Sequence, residues 1–213
     1  MGWLEDKIAK WARLIDEHGG LGISEKVLEG HQGLGEANPE ERAEWSRRTM
    51  ERLAEAVPDV GTREKIMDGR ACVFIEEFGE EPLLKLRNIY QETGGVEAVF
   101  EAMARDREKH GRPYREGNVI YEVKAPADAE AFADAQTPEE KRVAYCHCPM
   151  ARAAKTPVPQ PYCYCGGGWY RGIWEFIVER PVRVELCKSV MNGDEHCAFA
   201  VHLPPEIAGE AAG

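Results

Sequence analysis

Two closely spaced pairs of cysteines are the residues of this chain best suited to chemistry: Cys146-His147-Cys148 and Cys163-Tyr164-Cys165. On an extended segment, residues i and i+2 point to the same side, so each pair would present both of its thiols together. If the two segments pair, four thiols converge, and four thiolates suit a zinc ion or an iron–sulfur cluster. The spacing therefore predicts a metal site at Cys146, Cys148, Cys163 and Cys165. Redox or catalytic thiols and ordinary packed cysteines remain open as alternatives.

Cys165 also stands immediately before a triple glycine and a predicted helix. Helix N-termini make thiols more reactive and bind anions, and glycines let a ligand approach the backbone closely. A nucleophilic Cys165 with His147 as its base is therefore a further hypothesis. The aromatic residues that open the helix could line a pocket for a small-molecule ligand, although aromatic residues on a helix usually belong to a core. The candidate ligand-binding residues are Gly166, Gly167, Gly168, Trp169 and Tyr170.

A rival metal site would use Glu185, Cys187 and Cys197. Asn192-Gly193 predicts a two-residue hairpin turn, which pairs Lys188 with Cys197. In that register Cys197 faces the side opposite to Glu185 and Cys187 and packs in the core. A bulge or a longer loop would reverse the facing, because a slip of one residue moves every side chain to the other side of the sheet.

The first ~110 residues carry apolar residues at helical spacing, which predicts an all-helical N-terminal region. Cys72 lies on one of these helices, where we expect it to pack in the core. The predicted helices include 3–17, 40–57, 62–78, one that starts at Pro82 and closes at Gly94, and 96–105.

The pattern then changes to short strands with two further helices. The predicted strands are 118–123, 142–148, 182–191 and 197–203, and the predicted helices are 127–135 and 169–179. The fold class is therefore α+β, with an N-terminal helical region followed by a small antiparallel sheet and packed helices. The expected domains are a helical region at 1–112, a cysteine-rich α+β domain at 113–205 and a flexible tail at 206–213.

The composition is that of a folded protein of 213 residues with a formal net charge of −11. This acidic balance disfavours nucleic acid as a partner, because phosphate backbones are contacted through a basic surface. No apolar run approaches the roughly 18 residues of a membrane span, and the acidic start MGWLEDKIAK does not have the pattern of a secretion signal. We therefore expect a cytoplasmic protein without a membrane partner, whose clustered cysteines stay reduced and serve metal or redox chemistry.

From Cys163 onwards the chain resembles the vinyl-4-reductase ligand-binding domain, which has the heme-NO-binding/vinyl-4-reductase fold. The pattern is a cysteine, a glycine-aromatic turn into a helix (GGGWYRGIWEF), a Pro-Val strand (RPVRVEL), and a Gly-Asp turn followed by Cys-x-Phe (NGDEHCAF). It covers about a fifth of the chain strongly and residues 114–204 loosely. The chain is also distantly similar to the 2-amino-thiazoline-4-carboxylate hydrolase group and to uncharacterised bacterial and archaeal proteins with paired CxC motifs.

The resemblance implies an α+β ligand pocket, often in a dimer, with a zinc ion held by cysteines and a glutamate near the helix and the last hairpin. By position, Cys163 and Cys197 match cysteines of the pattern, and Glu185 is the nearest acid. The chain departs from the pattern at Ser189, where the family has a further cysteine. The residues that could supply the missing ligand are Cys187, Cys146 and Cys148.

These observations together predict a metal-binding protein, with zinc as the expected metal, that binds or senses a small apolar or aromatic ligand. A closed site of four thiolates favours a structural metal over a catalytic one. Two alternatives stay open. One is a metal- or cysteine-dependent hydrolase of small heterocyclic compounds, and the other is an iron–sulfur redox protein. The sequence leaves undecided whether the protein is an enzyme and whether it forms a homodimer.

Overall fold

The structure is a computed structural model that describes residues 2–208, apart from the side chains of residues 108, 109 and 208. Short 3-10 helices occur at His31–Gly33, Gln160–Tyr164 and Val190–Asn192. The strands are β1 Tyr114–Glu116, β2 Val119–Val123, β3 Arg183–Lys188 and β4 Ala198–His202. The α-helices are α1 Trp3–Gly19, α2 Ile23–Val27, α3 Pro39–Ala56, α4 Val60–Gly69, α5 Phe74–Phe78, α6 Glu81–Thr93, α7 Val96–Met103, α8 Arg107–His110, α9 Ala129–Asp134, α10 Pro138–Tyr145, α11 Cys165–Val178 and α12 Pro205–Ala208.

The fold class is α+β, as predicted, with helices dominating the N-terminal half and a small antiparallel sheet with packed helices in the rest. The chain divides into two compact units, each assembled from separate stretches of sequence. In the described residues, unit 1 comprises 2–70, 126–165 and 189–195, and unit 2 comprises 71–125, 166–188 and 196–208. The boundary expected at 112/113 therefore lies inside unit 2. Most of the expected tail, residues 209–213, lies outside the described part.

Unit 1 is built around α1, whose apolar stripe supplies Trp11 and Ile15 to a buried cluster. The start of α3 follows from a capping box, in which Asn38 accepts from the Glu41 N–H and Glu41 binds the Asn38 N–H. A Cβ at Gly69 would lie 3.0 Å from the end of the Leu14 side chain, so glycine allows the last turn of α4 to approach α1 closely. The helix predicted over 62–78 breaks there, and this places Arg70 at the end of α4.

Two predictions about secondary structure, one in each unit, are wrong for local reasons. Residues 142–148 were expected to form a strand, but α10 continues to Tyr145 because Thr137 and Glu140 form a capping box with proline at the first helical position. Cys72 was expected on a helix, but it lies between α4 and α5, partly buried in unit 2.

Unit 2 contains a four-stranded antiparallel sheet in the order β1-β2-β4-β3. In the core of unit 2, the sheet packs against the buried side of α11, which includes Ile173, Trp174 and Ile177. Gly166, in the first turn of α11, lies against the ring of Phe199 on β4 and has no room for a side chain. None of the helices in residues 2–208 is long and apolar enough to span a membrane.

The connection between β3 and β4 is longer than the predicted two-residue turn. Lys188 pairs with Ala198 instead of Cys197, and the register shifts between Leu186 and Lys188. The 3-10 helix Val190–Asn192 occupies the loop, and Gly193 follows it with a φ of 89°. The predicted pairing of Lys188 with Cys197 is therefore wrong, but Cys197 still packs against the core of unit 2 together with Leu186, as the sequence predicts.

Candidate thiol site

All four cysteines of the predicted metal site belong to unit 1. Cys146 ends α10, and its N–H donates to the carbonyl of Arg142 at 2.9 Å. Cys148 begins the following turn, and its carbonyl accepts from Arg152 at 2.9 Å. The four thiols are all partly exposed, and no disulfide joins the cysteines in the described part of the chain.

The second pair does not lie on an extended segment, which corrects the geometry expected from the sequence. Cys163 lies in the 3-10 helix Gln160–Tyr164, and Cys165 is the first residue of α11. In a 3-10 helix successive residues are separated by about 120° around the axis, so residues i and i+2 point in different directions. Cys163 and Cys165 consequently have different surroundings.

A buried arginine contacts Tyr162, whose hydroxyl in turn contacts the sulfur of Cys148. Arg70 is 7% exposed, and its guanidinium carbon lies 4.2 Å from the ring centroid of Trp11 and 4.9 Å from that of Tyr162. Its Nη2 donates to the Tyr162 hydroxyl at 3.3 Å. The Nε is buried and has no hydrogen-bond partner among residues 2–208. Arg70 is therefore a desolvated cation held mainly by two aromatic rings.

The electrostatic partners of Arg70 are a phenol and two thiols. Burial alone would lower the pKa of Arg70, but Tyr162, Cys148 and Cys165 outweigh it, so that the pKa lies above the ordinary value of an arginine. Burial also raises the pKa of Tyr162 well above that of a free phenol, although Arg70 opposes this effect. In the described part of the chain, no carboxylate contacts the Arg70 guanidinium.

Hydroxyl groups contact two of the sulfur atoms. The Tyr162 hydroxyl lies 3.3 Å from the sulfur of Cys148. The fully buried Ser189 donates its hydroxyl proton to the sulfur of Cys163 at 3.1 Å. Ser189 thus places a buried hydroxyl beside the sulfur of Cys163.

The structure thus brings the four cysteines into one unit without assembling them around a common point. The sulfur of Cys148 contacts the Tyr162 hydroxyl, and the sulfur of Cys163 contacts the Ser189 hydroxyl. Within residues 2–208, no group of three histidine, cysteine, aspartate or glutamate side chains has the arrangement of a metal site. The predicted metal site at Cys146, Cys148, Cys163 and Cys165 stays a prediction. His147 is exposed beside them, and its pairing with Cys165 stays a prediction too.

The candidate ligand-binding residues form the first turns of α11 in unit 2. Gly167 and Tyr170 are buried, and the Tyr170 ring lies 5.1 Å from that of Phe199. Trp169 packs 5.5 Å from Phe74. This packing accounts for the aromatic residues as part of a core. A ligand role for Gly166, Gly167, Gly168, Trp169 and Tyr170 stays a prediction.

The rival metal ligands all lie in unit 2, whereas Cys163 lies in unit 1. The Glu185 carboxylate binds Arg183, and its other oxygen lies 3.0 Å from the Nε2 of His202. Cys187 is exposed, and Cys197 packs partly buried against the core of unit 2. Glu185 is therefore engaged in a surface group of charges on the sheet.

Sequence reasoning missed Arg70 and Tyr162, and it named Ser189 only as a departure from the vinyl-4-reductase pattern. Ser189 had a signal, because it replaces an expected cysteine. Arg70 had none, since its hydrogen-bond partner Tyr162 is 92 positions away in the chain. A fourth missed residue is Glu122 in unit 2, which is 1% exposed and whose pKa burial raises to about 8 against the opposing hydrogen bond from Trp174.

Comparisons with known proteins leave the function undefined. Residues 132–207 match the model of a family of unknown function (DUF6144). No curated protein matches the chain, and no solved structure matches it. The matched segment includes all four cysteines of the CxC pairs, together with Tyr162 and Ser189, but not Arg70.

Proposed function

We propose that unit 1 carries a thiolate centre that binds a thiophilic metal ion, with zinc as the expected ion. Cys148 and Cys165 are its principal ligands, and Cys146 and Cys163 complete it. The observation that carries this proposal is the buried Arg70, whose Nη2 donates to the Tyr162 hydroxyl, which in turn lies 3.3 Å from the sulfur of Cys148. The proposal thereby gives one explanation to the cysteine spacing and to the unusual arginine.

A zinc centre held by thiolates would carry a negative charge, which is favourable near the buried cation of Arg70. A buried cation without an anionic partner is unfavourable, because its lost hydration is not replaced. Contacts with aromatic rings recover only about 2 kcal/mol for a desolvated cation. Zinc bound by four thiolates has a net charge of −2, which Arg70 would partly neutralise. Four thiolate ligands leave no open position, so the metal would serve structure or sensing.

The proposal extends to a small apolar or aromatic ligand, as the resemblance implies. Support comes from an aromatic group in unit 2, in which Phe74, Phe78 and Trp169 lie together and Phe78 is 41% exposed. We also propose that the protein works in the reducing cytoplasm, as a homodimer and without a nucleic-acid partner. The net charge of −11 supports the last point.

A second candidate function is a cysteine-dependent hydrolase of small heterocyclic compounds. It is favoured by the 3.3 Å contact between the Tyr162 hydroxyl and the Cys148 sulfur, because a phenol beside a thiol can donate a proton during nucleophilic catalysis. In this alternative Cys148 is the nucleophile. An iron–sulfur cluster on the same four cysteines is the remaining alternative.

A cobalt titration of the metal-free, reduced protein tests the leading proposal. Cobalt held by thiolates gives strong sulfur-to-metal charge-transfer absorption, whose intensity grows with the number of thiolate ligands. We expect saturation at one ion per chain and at least tenfold weaker binding in Cys148→Ser/Cys165→Ser. Cys72→Ser, the matched control in unit 2, should bind as wild type does. Charge-transfer absorption that persists unchanged in the double variant would contradict the proposal.

A further inference from the structure

An open cleft of about 770 Å³ runs along α3 in unit 1. Trp45, Gly30 and Ala153 contribute apolar surface to its lining. The charged residues that α3 contributes follow one another at intervals of one helical turn and are Glu40, Glu44, Arg48 and Arg52. Small-molecule sites have volumes of roughly 300–1,000 Å³, so the cleft is large enough to hold a ligand.

Most charges in this cleft are neutralised by partners within the chain. The Nζ of Lys155 lies 2.8 Å from the Glu40 carboxylate. The Glu44 carboxylate accepts from Arg47 and from Arg48, each at 2.8 Å, and these hydrogen bonds lower the pKa of Glu44 to about 2. Such pairs are ordinary on a solvated helix surface and by themselves give no reason to expect a ligand.

Arg52 differs from these residues, because its guanidinium is held by neutral acceptors. Its Nε donates to the carbonyl of Val27 at 2.9 Å. Its Nη2 donates to the carbonyl of Glu29 at 3.0 Å and to the hydroxyl of Thr49 at 3.1 Å. Within residues 2–208 no carboxylate contacts this guanidinium, and none of the three bonds uses Nη1. A cation that is already fixed can bind a carboxylate at a low cost in conformational entropy.

Glu29 supplies a charge of the opposite sign to the same cleft. Its backbone is held in place, because its carbonyl accepts from Arg52 and also from the indole N–H of Trp45 at 2.9 Å. Its side chain is exposed, and in the described part of the chain its carboxylate forms neither a hydrogen bond nor an ion pair. The cleft therefore contains a fixed cation and a carboxylate that lack partners of opposite charge.

We infer that this cleft binds a small zwitterion, a molecule that carries both a carboxylate and an amine. Arg52 binds the carboxylate, and Glu29 binds the amine. A ligand with only one of the two charges leaves one of these residues uncompensated and is repelled by it, whereas a zwitterion is complementary to both. No cysteine is among the described residues that line the cleft, so this site is independent of the proposed metal centre.

The test follows the indole N–H resonance of Trp45 by NMR during ligand titrations, with Trp45→Phe to assign the resonance. The probes are ω-amino acids with two, four and six carbons, each compared with the carboxylic acid and the amine of the same length. We expect at least one ω-amino acid to shift the resonance saturably. It should bind about tenfold more tightly than its acid or its amine, since each lacks one charge-assisted contact.

Two variants separate the ends of the ligand. Glu29→Gln keeps the backbone contacts and should weaken binding of the ω-amino acid about tenfold, without weakening binding of the acid. Arg52→Met should weaken binding of the amino acid and the acid alike. The matched controls are Glu25→Gln, at an exposed glutamate outside the cleft, and Arg63→Met, at an arginine that is also held by carbonyls. Both should bind as wild type does.

The absence of a saturable shift with every ω-amino acid would overturn the inference. Acids or amines that bind as tightly as the amino acids would also overturn it, because the site would then select a single charge. Arg52 holds the backbone after α2, so Arg52→Met has a structural cost that circular dichroism measures. If that variant does not fold, Glu29→Gln decides alone, and an unchanged affinity for the ω-amino acid in Glu29→Gln would contradict the assignment.

Discussion

The guanidinium of Arg70 stacks 4.2 Å from the ring centroid of Trp11 while its Nη2 donates to Tyr162. Arg70 thereby places a positive charge inside unit 1, linked to the sulfur of Cys148 through the Tyr162 hydroxyl and without a carboxylate contact in the described part of the chain. If the thiols bind a metal as thiolates, the charge has a function. If they remain neutral, it is an unfavourable feature of the fold.

Replacement of Arg70 should therefore separate metal binding from stability. In Arg70→Met we expect the metal-free protein to melt at the same temperature as wild type or higher, because an uncompensated buried charge is removed. The rise in melting temperature on adding zinc should become smaller. Arg70→Lys, which keeps the charge, should retain most of the zinc effect. Thermal unfolding with and without zinc measures all of these quantities.

Arg63→Met provides the control, because Arg63 is an arginine of unit 1 that donates to the carbonyls of Val57 and Pro58 at 2.7 Å. It should leave the zinc effect unchanged. An Arg70→Met protein that gains as much from zinc as wild type does would argue against a metal centre beside this residue.

The buried Glu122 should make the stability of unit 2 depend on pH. One of its oxygens accepts from the Nε1 of Trp174 at 2.6 Å, and the other has no partner among residues 2–208. Burial raises the folded-state pKa to about 8, whereas an unfolded glutamate titrates near ~4.3. Between these values the folded state holds a proton that the unfolded state has released. Stability is therefore complete below the unfolded pKa and is lost as the pH rises, by up to about 1.4 kcal/mol per pH unit.

Glu122→Gln should remove this loss, because glutamine is neutral and still accepts from Trp174. The difference in free energy of unfolding between variant and wild type should grow from pH 4.5 to pH 8 in urea denaturation curves, on the order of several kcal/mol in all. Glu116→Gln, at an exposed site on β1, should show no such trend. A difference that is constant across this range would rule out a strongly raised pKa for Glu122.

The contact between Gly166 and Phe199 allows a test within one helix. Gly166→Ala should destabilise the protein by about 1–3 kcal/mol, because the added methyl group would overlap the Phe199 ring. Gly172→Ala, in the same helix with open space around it, should stabilise by about 0.5–1 kcal/mol. Chemical denaturation curves of both variants measure these changes in the free energy of unfolding. Equal effects at the two positions would mean that Gly166 serves something other than packing.

Ser189→Cys would place a second thiol beside Cys163. Because the hydroxyl lies 3.1 Å from the Cys163 sulfur, a thiol at this position would come close to the existing one. We expect at least tenfold tighter zinc binding than in wild type, measured by competition with a chromophoric chelator. Ser46→Cys, at a buried serine elsewhere in unit 1, should not tighten binding. Equal affinity for Ser189→Cys and wild type would place the metal away from Cys163.

Local rules made much of the fold predictable. The start of α3 was visible in Asn38, Pro39 and Glu41, and the apolar stripe of α1 was read correctly. The error at 142–148 arose because an apparent strand pattern was preferred over the capping signal of Thr137 and Pro138, which lie nine and eight residues before Cys146. The hairpin register was missed because the loop contains a 3-10 helix, which the Asn192-Gly193 dipeptide does not reveal.

Of the residues in the candidate site, only the cysteines could be identified from the sequence. Their spacing identified the cysteines, but the direction of each sulfur depends on a 3-10 helix that was expected to be extended. The charge at the site comes from Arg70, at the end of a helix far away in the chain, and long-range packing of this kind has no periodic signal. Ser189 could be named from the resemblance, yet its contact with Cys163 required the geometry of the loop after β3.

The most direct measurement is the metal content and absorption spectrum of the protein purified without oxygen. We expect about one zinc ion per chain in wild type, and loss of that zinc in Cys148→Ser/Cys165→Ser while Cys72→Ser keeps it. Iron together with the absorption bands of an iron–sulfur cluster would indicate that the same thiols hold such a cluster instead of zinc. A folded wild-type protein that contains no metal, and that binds neither zinc nor cobalt when reduced, would contradict the central claim.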